Sequence, residues 1–197
     1  MRPLPLAEVP QLIAALPPKY ACLAAIGVTT GCRITEILLL RRFDLLTRDG
    51  ELKDRVAFVK LKTGNRKPKL VHRKLSIPEA YRPYILRHLK AEELRGYDRP
   101  DDFVFRGKLG AHLSRLTVYH FFRQRLGDGY GTHWMRKTFA QELFRYFLDE
   151  NRRDPMRALE LTRRALGHER LDTTVRYLGI NEASIEAAQN AIFNGEA

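Results

Sequence analysis

The chain is short of cysteine, of acidic residues relative to basic ones, and of long apolar runs. Cys22 and Cys32 are its two cysteines. They form no CxxC pair and no zinc-ligand spacing, which leaves them as reduced, small hydrophobes in a core. The longest apolar run, Ala21 to Val28, is well short of the roughly 20 residues that a membrane span needs. No charged n-region or cleavage site accompanies it. The expectation is a cytoplasmic protein with no membrane partner. Internal repeats and low-complexity segments are absent too. The 23 acidic residues face 35 lysines and arginines, for a net charge of +12. Folding does not need that imbalance, which costs self-repulsion. It points to a polyanionic partner: DNA, RNA or an anionic membrane surface.

What is present is an ordinary globular mixture, 44% hydrophobic and 29% charged over 197 residues. That length supports a sizeable core and a single domain over 1–197. The pattern reads as mostly α with a small antiparallel β-sheet, an α+β class. Five prolines in the first 18 residues leave room for one short helix at about 7–16. Residues 20–29 are apolar almost all round, as in a buried helix, and Gly31 is its stop. A short helix follows at about 34–41. Residues 55–62 alternate as a strand, 70–75 pair with it, and 63–65 form the turn. A helix is expected at 78–94 and a third short strand at 103–105. Further helices are expected at about 114–126, 132–149, 154–166, 172–178 and 182–193.

The sharpest local signal lies in the helix that starts near His133. Advancing 100° per residue gathers Met135, Phe139, Ala140, Leu143, Phe144 and Phe147 into one apolar sector. Arg136 falls in its middle, and His133 sits at its edge one turn earlier. Lys137, Gln141, Glu142, Arg145 and Asp149 take the other side. An arginine in a core stripe is costly unless it is paired or holds an anion. Two readings stand for it: a buried ion pair or snorkelling stem, and an anion site. Arg33 is a second candidate, because it follows the Gly31 stop at the start of a helix, where backbone N–H groups favour an anion. Glu36 lies one turn on, and an ordinary Arg33–Glu36 pair is the plainer alternative.

These residues resemble a known family. Thr30-Gly31-Cys32-Arg33-Ile34-Thr35-Glu36-Ile37 is similar to the first arginine box of the tyrosine recombinases, the phage integrase family. Thr132-His133-Trp134-Met135-Arg136-Lys137-Thr138-Phe139-Ala140 is similar to its His-x-x-Arg box. Leu166-Gly167-His168, followed by Thr173-Thr174-Val175-Arg176-Tyr177, is similar to its Leu-Gly-His and nucleophile boxes. Lys62, in Leu61-Lys62-Thr63-Gly64, stands at the start of the hairpin turn, as the family's catalytic lysine does. The boxes come in the family's order across about residues 20–180. The chain departs mildly at Trp134-Met135, where the family more often has an acidic or small residue and then leucine.

The resemblance implies a recombinase catalytic domain that cleaves and rejoins duplex DNA through a 3′-phosphotyrosine. It implies the catalytic set Arg33, Lys62, His133, Arg136, His168 and Tyr177, with Glu36 orienting Arg33 from behind. Attack on a phosphodiester adds charge to its non-bridging oxygens, and fixed cations must meet that charge. Arginine can do so with bidentate forks that stay protonated. Tyr177 would be the nucleophile, His133 its base, Lys62 the acid for the leaving oxygen, and His168 a donor to the phosphate. Lys60, two residues away on the same strand face, competes with Lys62 for the acid's role. No cofactor and no metal are implied, since arginines stand in for a two-metal clamp. His72, His88, His112 and His120 match no motif and read as surface or core histidines.

Lys60, Arg66, Lys67, Lys69, Arg73 and Lys74 on the hairpin, with Arg163 and Arg164, are expected to track DNA phosphates. Such contacts fix position without reading sequence. The family assembles as tetramers on paired sites by exchanging a C-terminal segment. A homotetramer on DNA, and a monomer without it, is therefore one expectation for the 182–193 helix, and packing on its own domain is the other. The family's separate N-terminal DNA-clamping domain is not expected within these 197 residues, which fit a single-domain member or a trimmed catalytic domain equally. That predicts half a clamp and weak binding alone. A type IB topoisomerase-like nicking-closing enzyme and a non-catalytic DNA-binding module are the competing functions.

Overall fold

A computed structural model describes residues 2–60, 71–151 and 154–179, the side chains of 59, 60 and 71–73 aside. The chain divides into two compact units, Met1–Phe139 and Ala140–Ala197.

In the first unit, a 3₁₀ turn and α1 (Val9–Ala14) lead into α2 (Pro18–Thr30). The expected 7–16 helix is thus split by geometry near its start. Pro18 opens α2 at the position where its missing N–H costs nothing. Ala21 to Val28 are buried without a break, so α2 is the axis of the core, as its lack of a polar face requires. Gly31 ends it in the left-handed region, at φ +60°. α3 covers Ile34–Leu38, and α4 covers Arg42–Leu45. The helix expected over 34–41 is therefore cut short. Arg41 is extended, and the Asp44 carboxylate accepts its N–H at 2.8 Å, capping a new helix instead of continuing the old one.

Strands β1 (Arg55–Lys60) and β2 (Val71–Ser76) pair antiparallel, with Val56 opposite Leu75 and Phe58 opposite Arg73. Alternation puts Val56 and Phe58 into the core. The expected turn at 63–65 lies outside the described residues, as do 61–62. A 3₁₀ turn (Glu79–Tyr81) precedes α5 (Arg82–Glu93), which buries Ile85, His88 and Leu89.

Residues 103–105 were expected to form a third strand and do not. Their only ladder contact among the described residues is one antiparallel bridge, Arg41 with Phe103. The reason is a split of partners. Val104 donates to Leu40 O, its carbonyl meets His88 Nε2 at 2.8 Å, and Phe105 O accepts from Leu113. Each backbone group is satisfied by a different element, so no ladder propagates.

α6 (Arg115–Leu126) starts at Ser114, whose hydroxyl accepts from Thr117 N at 3.0 Å. It buries Val118 and Phe122. α7 (Trp134–Glu150) begins in the first unit and contains the boundary. Its first turns settle on α2 through two glycines. A Cβ on Gly27 would lie 2.5 Å from Met135 Sδ, and one on Gly31 2.2 Å from Phe139 Cδ1. Two glycines four residues apart thus receive two large side chains four residues apart.

The apolar sector of α7 needs one correction. Trp134, outside that sector, is fully buried, with its ring edge-to-face to Phe122 at 5.6 Å. Leu143, Phe144 and Phe147 are only half-buried. At the first turn α6, through Phe122, covers a side that the helical wheel places opposite the apolar sector.

In the second unit, α8 (Pro155–Leu166) and α9 (Leu171–Leu178) follow the end of α7. Asp154 caps α8 by accepting from Met156 and Arg157 N–H, both at 3.0 Å. The expected 182–193 helix lies outside the described residues.

Candidate active site

The first unit brings Arg33, Glu36, His133 and Arg136 into one neighbourhood. Arg33 stands just before α3, and Glu36 binds it twice. Glu36 Oε2 accepts the Arg33 backbone N–H at 2.8 Å, and Oε1 takes the guanidinium at 3.3 Å. Glu36 is 6% exposed and the Arg33 side chain 40%. The carboxylate is thus a buried anchor, and part of the guanidinium still faces outward.

Arg136 is buried, at 2% exposure, and its Nη1 donates to the carbonyl of Gly31. The docking of Met135 and Phe139 on Gly27 and Gly31 delivers it there. One guanidinium therefore holds the very loop that presents the other, since Gly31 is two residues before Arg33.

His133 is half-buried, one turn before Arg136. Burial is the largest force holding its imidazole below the ordinary histidine range. The cations of Arg136, Arg115, Arg33 and Lys137 add to it. A histidine so placed is neutral near pH 7 and can take a proton.

Arg115 is the residue that the sequence reading passed over. It is exposed at the first position of α6. A signal was available: a cation in a helix's first turn opposes the helix dipole.

The second unit brings together His168 and Tyr177. α8 ends in a Schellman turn at Gly167, φ +65°. Gly167 N donates to Arg164 O and His168 N to Arg163 O, both at 3.0 Å. The reversal places His168 immediately after the helix, 6% exposed. Its Nδ1 lies 3.0 Å from the hydroxyl of Thr174, which is fully buried. Its ring meets the edge of Tyr177 at 5.5 Å between centroids. Gly179 ends α9 two residues beyond Tyr177.

The expected general acid, Lys62, and the residues expected to track DNA divide three ways. Lys62, Arg66, Lys67 and Lys69 lie outside the described residues. Lys60 and Arg73 are placed on β1 and β2 by backbone alone, and Lys74 on β2 is exposed. Arg163 and Arg164 both grip Glu160. Nε and Nη2 of Arg163 donate at 2.6 and 2.8 Å, and Arg164 Nε at 2.7 Å. Those bonds hold the Glu160 carboxyl down at about 2. Arg163 Nη1 donates to His168 O at 2.7 Å and Glu169 O at 3.3 Å. Arg163 thus spends Nε, Nη1 and Nη2 inside its own unit.

Comparison with known proteins gives one direction throughout. The chain is 25% identical over 174 residues to a probable integrase/recombinase, YoeC, of Bacillus subtilis (strain 168), covering 86% of this chain and 81% of that one. Its fold is similar to that of the XerH site-specific recombinase, solved bound to a palindromic difH substrate in a post-cleavage complex. The TM-score is 0.60 at 22% identity, over 96% of this chain and 52% of XerH. It is similar also to XerA recombinase, at TM-score 0.64 and 18% identity, over 98% of this chain and 65% of that one. The chain therefore spans about half the length of XerH and about two thirds of XerA. Among the described residues, no helix is long and apolar enough to cross a membrane. The match to the phage integrase family runs over residues 3–184, nearly the whole sequence, and the chain belongs to that family.

Proposed function

We propose that the chain acts on duplex DNA as a tyrosine-type site-specific recombinase, through a covalent 3′-phosphotyrosyl intermediate. The observation that carries this reading is the buried Arg136 bound to the loop of Arg33, beside a histidine kept neutral by burial and by surrounding cations. A scaffold alone gains little from burying a guanidinium next to a second one. A site for a doubly oxygenated anion gains two forks.

Arg33 and Arg136 hold the non-bridging oxygens of the scissile phosphate and meet the charge that builds there. The Tyr177 Oη attacks phosphorus, and His133 takes its proton. The P–O5′ bond breaks, and Lys62 protonates the departing 5′-oxygen. His168 donates a hydrogen bond to the phosphate. The products are a 3′-phosphotyrosine and a free 5′-hydroxyl. The link keeps the bond energy, so the reverse attack by a 5′-hydroxyl rejoins strands without ATP. Exposed cations of the Lys74 kind track flanking phosphates. XerH was solved bound to a difH substrate, which supports DNA as the partner here; assembly into a tetramer on paired sites rests on the family resemblance alone.

The test is a nicked suicide duplex carrying a candidate site. Wild type becomes covalently linked to DNA, and Tyr177→Phe does not. An adduct that survives Tyr177→Phe sinks the nucleophile assignment.

A further inference from the structure

We propose that Thr174 and Arg163 are positioning residues for His168, Thr174 setting its ring and tautomer and Arg163 its main chain. The proposal rests on the recombinase reading above.

His168 follows a helix, and nothing in a turn fixes a ring by itself. Two devices do so here. The first is Arg163. Its carbonyl accepts the His168 N–H at 3.0 Å, and its Nη1 donates to the His168 carbonyl at 2.7 Å. One residue thus clasps both polar groups of the next turn's backbone. Glu160 holds the guanidinium flat for this task with bonds of 2.6 and 2.8 Å. The second device is Thr174. Its buried hydroxyl is 3.0 Å from His168 Nδ1, and it stands three residues before Tyr177 on α9. The helix that carries the phenol therefore also sets the imidazole, and the two rings meet at 5.5 Å.

The hydroxyl decides the chemistry as well as the angle. A threonine that donates to Nδ1 leaves the ring proton on Nε2, the form that can donate to a phosphate oxygen. The opposite tautomer would turn a lone pair on Nε2 toward an anion. Partners behind a metal-ligating histidine change affinity or activity by about 10–100-fold when removed, and the same scale is the expectation for His168. Arg163 also ceases to be a phosphate contact in this account, and the two roles differ in salt dependence.

Two measurements separate this proposal from the recombinase reading. In DNA-free protein, ¹⁵N shifts of His168 report the Nε2–H tautomer in wild type and in Thr174→Ser. Thr174→Val, nearly the same shape, shows mixed tautomers. In single-turnover cleavage of the nicked duplex at saturating DNA, Thr174→Val falls by about 10–100-fold with unchanged affinity. Thr174→Ser recovers to within about threefold, being the same donor on a smaller side chain. Arg163→Met slows cleavage and leaves the salt slope of binding as it was. Wild-type cleavage by Thr174→Val, or Thr174→Ser as slow as Thr174→Val, overturns the role of the hydroxyl. A salt slope lowered by about one, with cleavage intact, overturns the role of Arg163. Failure of wild type to form any adduct counts against the recombinase reading instead.

Discussion

Arg136 donates a hydrogen bond to the carbonyl of Gly31, and Gly31 ends the helix whose next turn presents Arg33. The two arginines are far apart in sequence, and this one bond ties their positions. Met135 and Phe139, seated where Gly27 and Gly31 have no side chain, keep the bond in register.

Gly31→Ala tests that arrangement. At φ +60° a non-glycine residue costs about 1–2 kcal/mol. The new Cβ would also lie 2.2 Å from Phe139 Cδ1, so α7 must shift. Urea unfolding should show at least that loss. Cleavage of the nicked duplex at saturating DNA should fall further than stability alone accounts for, because Arg136 moves with α7. Full cleavage with reduced stability would separate the loop from the chemistry.

His133 should govern the acid limb of cleavage. Its pKa lies below the ordinary value, so it is neutral, and able to accept the Tyr177 proton, from below pH 6.5 upward. Cleavage then rises with pH and levels off before neutrality. Removing a nearby cation relaxes the depression, so Arg115→Gln moves the limb to higher pH. His133→Ala abolishes the limb and lowers the rate by about 10²–10⁴-fold. A limb that stays put in Arg115→Gln would show that Arg115 does not act on His133.

His88 predicts a pH dependence of stability far from the chemistry. It is 1% exposed, bonded to Val104 O and stacked on Phe105 at 5.5 Å. Burial holds its pKa below the ordinary value. Lys19 and Arg95 push the same way, and Val104 O and Glu92 push against it. The folded state therefore takes up its proton at lower pH than the unfolded chain. This contribution is complete above about pH 6.5 and is lost as pH falls through the folded value, at up to about 1.4 kcal/mol per pH unit. Urea midpoints at pH 7.5 and 5.5 measure it. His88→Phe lowers stability at both and shrinks the difference. An undiminished difference in His88→Phe assigns the effect to another group.

Lys62 and Lys60 can be told apart by the leaving group. A 5′-thiolate leaves without a proton, so a 5′-phosphorothiolate duplex should rescue Lys62→Ala and should not rescue Arg136→Ala. Rescue of Lys60→Ala instead moves the general acid to Lys60.

Elements whose determinants are local were legible. The all-apolar 20–29 segment is α2, Gly31 is its stop, and alternation over 55–60 is β1. Ser114 and Asp154 cap the helices that follow them. Elements decided by distant partners were not legible. The stretch 103–105 has strand composition, yet Leu40, His88 and Leu113 divide its hydrogen bonds. The 34–41 helix has helical pattern, yet Asp44 restarts the chain at Arg41. Trp134 lies opposite the apolar sector on a helical wheel and is buried because Phe122 lies against it.

The site divides along the same line. The amino-acid sequence alone singled out the candidates for the chemistry: their types, their order and their spacing in the boxes around Arg33, His133 and His168. Only the tertiary structure decided their states. It puts the Arg136 guanidinium on Gly31, lowers the His133 pKa by burial and by cations from three segments, and bonds the Arg163 guanidinium to the His168 carbonyl. The physical reason is range. Periodicity and capping report neighbours within about one turn. A pKa, a buried charge or a tautomer depends on whatever folding brings to within a few ångströms from elsewhere in the chain.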